Sequence, residues 1–566
     1  MRRFPYGETN FELIRSDGKI FVDKTKYIAE LEQQPSFQFF IRPRRFGKTL
    51  WLSVLENYYD VYKADKFVAL FGDLAIGKQP TVSKNSYLIL RLSFAGIATD
   101  NGKDVLISDF YAQVRSSAEN FCEKYFDLLQ DKVVATVDST AISIIGDLYK
   151  LVARCNQRMF LIIDEYDNFA NELIASDDKE LYYDLISGEG YVKAFYKAIK
   201  EGTSSGIERL FMTGVSPVML DDLTSGFNIT ANLTLKPELN GMLGLTDAEV
   251  EELARQVCPR EIDLTRLQED LRLYFNGYKF SVMASERIYN TNMVIYFMEE
   301  LRQSGRYPQY ILDRNVVTDY RKTEMLARKF DAYDCLQNIA GGGTVTTRLV
   351  DRFDLNTIFA IKDNYWSLLF YLGLLTIKSS QFSYVALGIP NYAIKLMFWE
   401  NFGETLRAQT QVVRSNDFFE PLTKMALEGD ANDFTKQFEH TFIQLLSYRD
   451  LIQLDEKHIK LALLAILHLG GTFLVDSERE LGDGYADILL SENPAYPNSA
   501  KYEWIIELKY LKKKSLKEYE RIVAEAKSQA ERYRSAYIAK YNNGKIVKTL
   551  VLICSGKGKL EIANIG

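Results

Sequence analysis

The sequence predicts an α/β protein with several domains, and three observations lead to this fold class. A continuous apolar run at 159–163 is typical of a buried parallel strand, and segments of helical spacing flank it. An apolar strand, a turn and a helix N-terminus follow one another over 37–50. Near the C-terminus, two strand-like segments carry Asp487 and the pair Glu507 and Lys509. Sheets covered by helices are therefore expected in both halves of the chain.

Length and composition set broad limits. A chain of 566 residues can form three or four domains of roughly 150 residues. The net charge of -7 argues against a uniformly basic nucleic-acid coat, although a local basic patch is compatible with it. The five cysteines are scattered and never in C-x-x-C spacing, so neither a disulfide framework nor a zinc site is expected.

No apolar run reaches the roughly 18 to 20 residues of a membrane span, and the N-terminus lacks the apolar stretch of a secretory signal. We therefore expect a soluble, cytoplasmic protein with no membrane partner.

The segment 37–50, FQFFIRPRRFGKTL, has the order of a phosphate-binding loop. Amide N–H groups, the helix dipole and one lysine converge at such a site. The general pattern is G-x-x-x-x-G-K-[ST], and Arg42 stands at its first glycine, so the loop is degenerate. The alternative is a basic surface turn. The candidate nucleotide-binding residues of the loop are Arg45, Phe46, Gly47, Lys48 and Thr49.

Two acids follow the apolar run at 159–163. In a P-loop enzyme Asp164 would hold Mg²⁺ together with Thr49, and Glu165 would polarise the attacking water. The alternative is a strand that ends in two solvated acids. Thr213, at the end of a further apolar strand, could contact the γ-phosphate or simply cap a turn.

The middle of the chain shows local structure and little chemistry. Thr246 and Glu249 form a capping box that begins a helix. The segment 274–280, YFNGYKF, allows base stacking, although turn and packing roles are favoured. A hairpin is expected at 374–387.

The C-terminal part places acids and a lysine on adjacent strands. Glu507 and Lys509 project to one face because side chains alternate along a strand. Asp487 and Glu507 would chelate Mg²⁺ or Mn²⁺, and Lys509 would orient water and stabilise charge on phosphate. Glu456, on the preceding helix, is a further candidate acid. The alternative is a structural ion pair between Glu507 and Lys509.

The segment 509–548 is locally basic and interleaved with tyrosines, as in surfaces that follow a phosphate backbone. A solvated helix face explains it nearly as well. Its basic residues are Lys512, Lys513, Lys514, Lys517, Lys527, Arg532, Arg534 and Lys540.

Taken together, these motifs resemble the AAA-ATPase-like proteins that carry a PD-(D/E)xK nuclease domain at their C-terminus. The family loop also begins RPRRFGK, so Arg42 follows the family pattern. The resemblance rests on FVDKT (21–25), RPRRFGKT (42–49), IDEYD (163–167), TGVSP (213–217), MLGLTDAEV (242–250), YFNGYKF (274–280), IYN (288–290) and IPN (389–391).

The resemblance implies a domain organisation. Residues 1–235 would form a P-loop AAA-like ATPase core with a parallel sheet, and 236–300 its helical lid. Residues 301–449 would be a mainly helical connecting domain, and 450–566 an α/β restriction-endonuclease-like domain.

The resemblance also extends the nuclease site. Gly482-x-Gly484-x-x-Asp487 matches the family's G-x-G-x-x-D run, with Tyr485 where the family commonly has arginine. Glu480 matches a family acid and becomes a candidate metal ligand. Gln529 and Tyr533 match the Q-x-x-x-Y spacing of exonuclease-like members.

The implied function is an ATP-binding NTPase coupled to a Mg²⁺- or Mn²⁺-dependent nuclease, with DNA favoured over RNA as substrate, in nucleic-acid processing or defence. Relatives suggest a homo-oligomer. One alternative is an NTP-dependent switch or scaffold whose nuclease-like domain only binds nucleic acid or protein. Another is a nuclease whose P-loop is a structural relic.

Overall fold

The structure is a computed structural model. It describes residues 2–97, 102–131, 133, 139–176, 179–186, 190–219, 227–313, 333–353, 355–400, 415–447, 456–511, 518–541, 544–555 and 559–565. The chain divides into two compact units. The first includes Met1–Arg306 and Val345–Asn391, and the second includes Tyr307–Ile311, Ala332–Thr344 and Tyr392–Gly566.

Helices cover much of the described chain. They are α1 Phe11–Ser16, α2 Lys26–Glu32, α3 Lys48–Tyr59, α4 Phe67–Phe71, α5 Ala75–Lys78, α6 Lys103–Lys124, α7 Phe126–Leu129, α8 Ala141–Arg154, α9 Asn168–Ser176, α10 Lys179–Ile186, α11 Tyr191–Gly202, α12 Asp247–Val257, α13 Leu264–Phe275, α14 Thr291–Ser304, α15 Tyr333–Ala340, α16 Leu355–Ala360, α17 Lys362–Tyr371, α18 Phe419–Leu427, α19 Asn432–Ser447, α20 Glu456–Gly470 and α21 Tyr519–Tyr541. Residues 392–400 are also helical.

The first unit is built on a five-stranded parallel sheet in the order β2-β3-β4-β1-β5. Its strands are β1 Phe37–Ile41, β2 Leu88–Ser93, β3 Met159–Asp164, β4 Ile207–Gly214 and β5 Ala231–Asn232. All six residues of β3 are buried, which is why its sequence is apolar without alternation. The predicted parallel sheet of the α/β fold is confirmed.

Two local predictions in this unit are confirmed. Thr246 Oγ1 accepts from the Glu249 amide at 3.3 Å, and Glu249 Oε2 accepts from the Thr246 amide at 2.8 Å, which completes the capping box of α12. In the segment 274–280 all four aromatic residues are buried, so their role is packing.

A small antiparallel sheet also belongs to the first unit. Its order is β6-β8-β7, from β6 Val345–Thr347, β7 Thr376–Gln381 and β8 Tyr384–Gly388. The predicted hairpin is therefore present, but sequence reasoning missed β6, which turns the hairpin into a sheet. The backbone at Gly277 packs closely against the segment that follows β8. Gly277 has φ +120°, and a Cβ there would lie 2.1 Å from the Pro390 carbonyl oxygen.

The second unit contains a mixed sheet in the order β13-β12-β11-β10-β9. The strands are β9 Phe473–Leu481, β10 Gly484–Glu492, β11 Tyr502–Leu511, β12 Ile546–Ser555 and β13 Lys559–Ile565. Strands β11 and β12 run parallel, and α21 makes the crossover between them. This is the α/β domain expected at the C-terminus, whereas the finer domain boundaries stay predictions.

Among the helices described, none combines the length and the apolar character that a bilayer span demands.

Candidate functional sites

The loop between β1 and α3 presents the start of a helix without a capping side chain. Arg45 and Gly47 have positive φ values of 71° and 91°, and Gly47 is the N-cap residue of α3. No side chain caps the first turn of this helix. Its amide groups and the helix dipole therefore suit an anion, as the loop sequence predicts.

Lys48 is folded back onto the loop. Its Nζ donates to the carbonyl oxygens of Arg42 and Pro43, both at 2.9 Å. Burial lowers the pKa of Lys48 to about 8, although the charges of Glu165 and Asp164 act in the opposite direction. A phosphate at the first turn of α3 would supply the missing countercharge.

Arg42 stabilises the loop through hydrogen bonds to backbone carbonyls. It stands at the first glycine position of the general pattern. Its side chain is fully buried, and Nη1 donates to the carbonyl oxygens of Ile41 and Thr234 at 2.9 Å. The guanidinium lies between the rings of Phe40 and Phe280, at 4.2 and 4.3 Å from their centroids. Burial lowers the pKa of Arg42 to about 9. The arginine thus has a structural role in this loop.

The acid predicted to hold Mg²⁺ lies at the carboxyl end of β3. Asp164 is 3% exposed, and its Oδ2 accepts from Arg91 at 3.3 Å. Its Oδ1 is buried and has no hydrogen-bond partner within the described part of the chain. A buried carboxylate oxygen without a donor fits a hard divalent cation. Thr49 lies half-buried on the first turn of α3.

Glu165 and Thr213 have less direct geometry. Glu165 is half-buried with φ 52°, and burial raises its pKa although the charge of Lys48 opposes this. The Thr213 hydroxyl donates to the Phe40 carbonyl oxygen at 2.8 Å, across the β1–β4 pair. It is therefore not oriented to donate to a phosphate in this structure, and its contact with the γ-phosphate stays a prediction.

Asp167 is a structural acid that sequence reasoning left without a role. Its Oδ2 accepts from the Ser216 amide at 2.7 Å, the Ser216 hydroxyl at 2.9 Å and the Asn171 side chain at 2.7 Å. These bonds join the end of β3 to the loop after β4. Both motifs, IDEYD and TGVSP, were visible in the sequence, but nothing there shows that they meet.

A small cavity of about 70 Å³ lies beside Gly47. Its lining is mostly apolar and includes Phe46, Trp51, Met242 and Leu245. The buried indole N–H of Trp51 has no hydrogen-bond partner in the described structure. The cavity thus offers apolar walls next to the candidate phosphate-binding loop.

In the second unit, β10 and β11 diverge where the candidate nuclease residues lie. The backbone register runs from Leu490↔Trp504 to Ile488↔Ile506. Past Ile488 and Ile506, carboxylate side chains accept the hydrogen bonds of the backbone amides. The Asp487 amide donates to Glu507 Oε1 at 3.3 Å, and the Leu508 amide donates to Asp487 Oδ2 at 3.0 Å. The two carboxylates are thereby fixed against the opposite strands.

Two lysines approach these acids. Lys509 Nζ lies 3.4 Å from Glu507 Oε2 and 3.6 Å from Asp487 Oδ2. Lys460, on α20, lies 3.0 Å from Asp487 Oδ1. Sequence reasoning missed Lys460, although it stands four residues after Glu456 on one helix face. Glu456 accepts from the Tyr510 amide at 3.1 Å, next to Lys509.

The charges are partly compensated within this cluster. Burial and the neighbouring Asp487 raise the pKa of Glu507 to about 7. Burial also acts to raise the pKa of Asp487, but Lys460 and Lys509 together outweigh it and lower that pKa. Burial would lower the pKa of Lys509, yet the two carboxylates outweigh this and raise it. Lys509 is therefore cationic at neutral pH.

The donor set suits a divalent ion. Glu507 is buried and Asp487 is half-buried, and because their carboxylates approach from two strands they would offer the oxygen ligands that Mg²⁺ and Mn²⁺ prefer. The described residues contain no group of three or more acidic, histidine or cysteine side chains able to hold a metal ion. Two carboxylates would therefore leave room for water and phosphate oxygens.

The other predicted nuclease residues lie around this pair. Glu480 is exposed on β9 opposite Tyr485, and the structure does not bring it together with Asp487 and Glu507. Tyr533 is buried on α21, and a Cβ on Gly484 would lie 2.5 Å from its hydroxyl. Gln529 lies half-buried one turn earlier. Tyr533 thus packs on β10, which explains the glycine at 484.

Two of the four described residues of the predicted basic segment form ion pairs. Arg532 lies 3.6 Å from Asp483, and Arg534 lies 2.7 Å from Glu531. Lys512, Lys513, Lys514 and Lys517 lie outside the described residues. The described part of α21 is therefore compatible with a solvated helix face and with a phosphate-binding surface.

Replacing Lys460 should tighten metal binding. Its ammonium neutralises Asp487 Oδ1 at 3.0 Å, so a divalent ion must displace it or share the oxygen. Since a hydrogen bond between charged groups contributes about 1.5–3 kcal/mol, we expect Lys460→Met to bind Mn²⁺ roughly tenfold more tightly. Calorimetric titration without nucleic acid measures this, with Lys501→Met as control. Equal or weaker binding would mean that Lys460 holds Asp487 in its ligand position.

Comparisons with known proteins agree with this division of the chain. The family described as Predicted AAA-ATPase matches residues 5–224, and the PD-(D/E)XK nuclease superfamily matches residues 454–562. A curated relative, an uncharacterized protein in the vnfD 5' region of Azotobacter chroococcum mcd 1, is 23% identical over 354 residues. The match covers 61% of this chain and 62% of the relative, so the chain spans less than two thirds of that protein.

Two solved structures show a weak likeness. The Aeropyrum pernix ORC2 protein in ADPNP-ADP complexes is 11% identical with a TM-score of 0.25, and Cdc6p from Pyrobaculum aerophilum is 12% identical with a TM-score of 0.25. Each match covers 67% of this chain and 92% of the other chain. These scores are too low for a structural argument.

Proposed function

Because this chain joins a predicted AAA-ATPase domain to a PD-(D/E)XK nuclease superfamily domain, we propose that it is an ATP-binding protein that hydrolyses phosphodiester bonds in DNA with the help of a divalent metal ion. The observation that carries the proposal is the convergence of Asp487, Glu507 and Lys509 where β10 and β11 diverge. A purely structural ion pair with Lys509 would not require a second carboxylate, that of the half-buried Asp487, beside the buried Glu507.

The residues of this cluster have separate tasks in the proposed reaction. Asp487 and Glu507 would hold the metal ion, which would supply a Lewis acid for a phosphoryl oxygen and a lowered pKa for a bound water. Lys509, cationic and within 3.6 Å of both acids, orients that water and donates to the phosphate oxygen on which charge develops. Tyr533 supports β10 from the helix side through its contact at Gly484.

The nucleotide site would use the loop, the acid and the adjacent apolar residues together. Phosphates would accept from the first-turn amides of α3 and from Lys48 Nζ, which would then leave the carbonyls of Arg42 and Pro43. Asp164 Oδ1 and Thr49 would hold Mg²⁺. The apolar residues beside Gly47, such as Phe46 and Trp51, would contact the base.

Coupling between the two activities follows only from their presence on one chain. We expect bound ATP to alter nuclease activity. Equal cleavage with and without ATP would count against coupling while leaving both sites intact.

The test of the proposed function is a cleavage assay on linear duplex, circular duplex and single-stranded DNA and on RNA. Each substrate is incubated with Mg²⁺, Mn²⁺ or EDTA, with and without ATP. Metal-dependent cleavage supports the nuclease. Absence of cleavage under every condition, with ATP still bound, would favour the switch or scaffold.

One observation favours that alternative. Asp487 is already neutralised by Lys460, so the cluster is stable without a metal ion and could serve as a binding surface. Metal titration separates the two functions, because a scaffold with a closed ion pair needs no Mn²⁺ affinity.

Nucleotide affinity should fall as the pH rises above about 8. Burial lowers the pKa of Lys48 to about 8, so above that pH the free protein holds a neutral amine, while bound phosphates favour the ammonium form. Binding at pH 9 then takes up a proton and is weaker by up to about tenfold than at pH 7. Calorimetry in two buffers of different ionisation enthalpy measures both effects. A flat affinity without proton uptake would contradict this role of Lys48.

A further inference from the structure

The hairpin of the small sheet projects into solvent. Residues 378–384, which we term the hairpin arm, are all exposed as whole residues, although burial of the Lys378 ammonium and the charge of Arg287 lower the pKa of Lys378 to about 8. At the tip, Phe382 is 97% exposed. The base of the hairpin is anchored, since the buried Thr376 hydroxyl accepts from the Lys279 amide at 2.8 Å. A rigid base thus carries an arm that contributes no core.

The tip residue is unfavourable for the fold alone. Phe382 has φ 55°, a left-handed conformation in which Gly, Asn or Asp are usual and a bulky side chain is strained. Gln381 and Tyr384 pair across it, so the turn is tight. A bulky residue with a strained backbone and a fully exposed ring in such a turn suggests that the ring has a function.

The charges at the arm are positive. The arm sequence KSSQFSY contains Lys378 and no carboxylate. The Arg348 guanidinium lies 4.7 Å from the centroid of the Tyr384 ring, which shares the tip with Phe382. In the described part of the chain neither Lys378 nor Arg348 forms an ion pair. Asp363 accepts from the Thr347 hydroxyl at 2.6 Å and from the Arg348 amide at 3.4 Å.

The order of elements gives the arm a context. Strand β6, helices α16 and α17 and the hairpin follow one another, and the hairpin completes the sheet in the order β6-β8-β7. Helix α17 is buried from Asn364 to Tyr371, so it cannot enter a groove of nucleic acid. The arm is the part of this module that remains available.

We propose that the hairpin arm binds nucleic acid, with Phe382 stacked on or wedged between bases and with Lys378 and Arg348 on the flanking phosphates. Aromatic rings beside cationic side chains and without carboxylates match a polyanion with exposed bases. The inference rests on the proposed nuclease function for its substrate class. It extends that function by a contact that lies outside the catalytic residues.

The test measures binding separately from cleavage. Fluorescence anisotropy with a labelled single strand and a labelled duplex is recorded on the full chain in EDTA. We expect Phe382→Asn to weaken binding by roughly five- to a hundredfold, the range of one lost stacking contact. Because Asn tolerates the left-handed conformation, the midpoint of thermal unfolding should stay equal or rise. Phe126→Ala, which removes another exposed ring of the same unit, is the control.

A second variant examines the charge. Lys378→Gln should lower the slope of log affinity against log salt by about 0.9, as for one lost phosphate contact. Unchanged affinity of Phe382→Asn, or no nucleic-acid binding by the unmodified chain, would overturn the inference. If the chain cleaves nucleic acid and Phe382→Asn binds it with unchanged affinity, the nuclease function is supported and binding by the hairpin arm is rejected. Binding that depends on Phe382 without any cleavage leaves the arm standing without the nuclease.

Discussion

Lys509→Ala should reduce cleavage by about 100- to 1,000-fold, the loss seen when one donor to a developing charge is removed. Lys509 Nζ is the cation that lies close to both predicted metal ligands, at 3.4 Å from Glu507 and 3.6 Å from Asp487. Its pKa is raised by the two carboxylates against the effect of burial, so the ammonium form persists at neutral pH. The rate of single-turnover cleavage with saturating Mn²⁺ measures the loss.

The same variant distinguishes catalysis from collapse of the site. Removing the ammonium leaves Asp487 and Glu507 less compensated, so Mn²⁺ affinity should be equal or higher while cleavage is lost. Lys501→Ala, at the opposite end of the same strand, should change neither quantity because Lys501 is exposed. Cleavage above about one tenth of the unmodified rate would exclude Lys509 from the reaction and favour the interpretation as an ion pair with Glu507.

The nuclease-like cluster shows how far strand alternation carries a prediction. The i, i+2 rule places Glu507 and Lys509 on one face, and the structure has them 3.4 Å apart. The approach of Lys460 could not be predicted, because it depends on how α20 packs on the sheet, and periodicity gives a helix face but no partner. Glu480 shows the opposite failure, since motif matching nominated it and strand pairing leaves it opposite Tyr485.

The phosphate-binding loop was predictable in order but not in detail. Strand, loop and helix follow from the apolar run and from the left-handed Gly47. The role of Arg42 could not be predicted, because its guanidinium donates to carbonyl oxygens about 190 residues further along the chain, such as that of Thr234. The sequence also predicted the hairpin that contains the hairpin arm. It did not predict that β6 pairs with this hairpin or that α17 is buried beside it.

Lys48→Ala should weaken ATP binding by about 10- to 100-fold, because one hydrogen bond between charged groups contributes about 1.5–3 kcal/mol. Without nucleotide, Lys48 holds the carbonyls of Arg42 and Pro43 at 2.9 Å, so the substitution also removes two bonds within the loop. The midpoint of thermal unfolding is therefore recorded together with the affinity. Lys78→Ala, an exposed lysine of the same unit, should leave both unchanged.

ATP affinity measured without magnesium gives a second test of the Lys48→Ala variant. If Asp164 Oδ1 and Thr49 hold the ion, ATP in EDTA should bind weakly to the unmodified protein, and Lys48→Ala should lose affinity further. Two losses that add identify two separate contacts to one nucleotide. Affinity that survives Lys48→Ala unchanged, with folding intact, would show that the loop is a structural relic held by Arg42. The chain would then be a nuclease without nucleotide control at this loop.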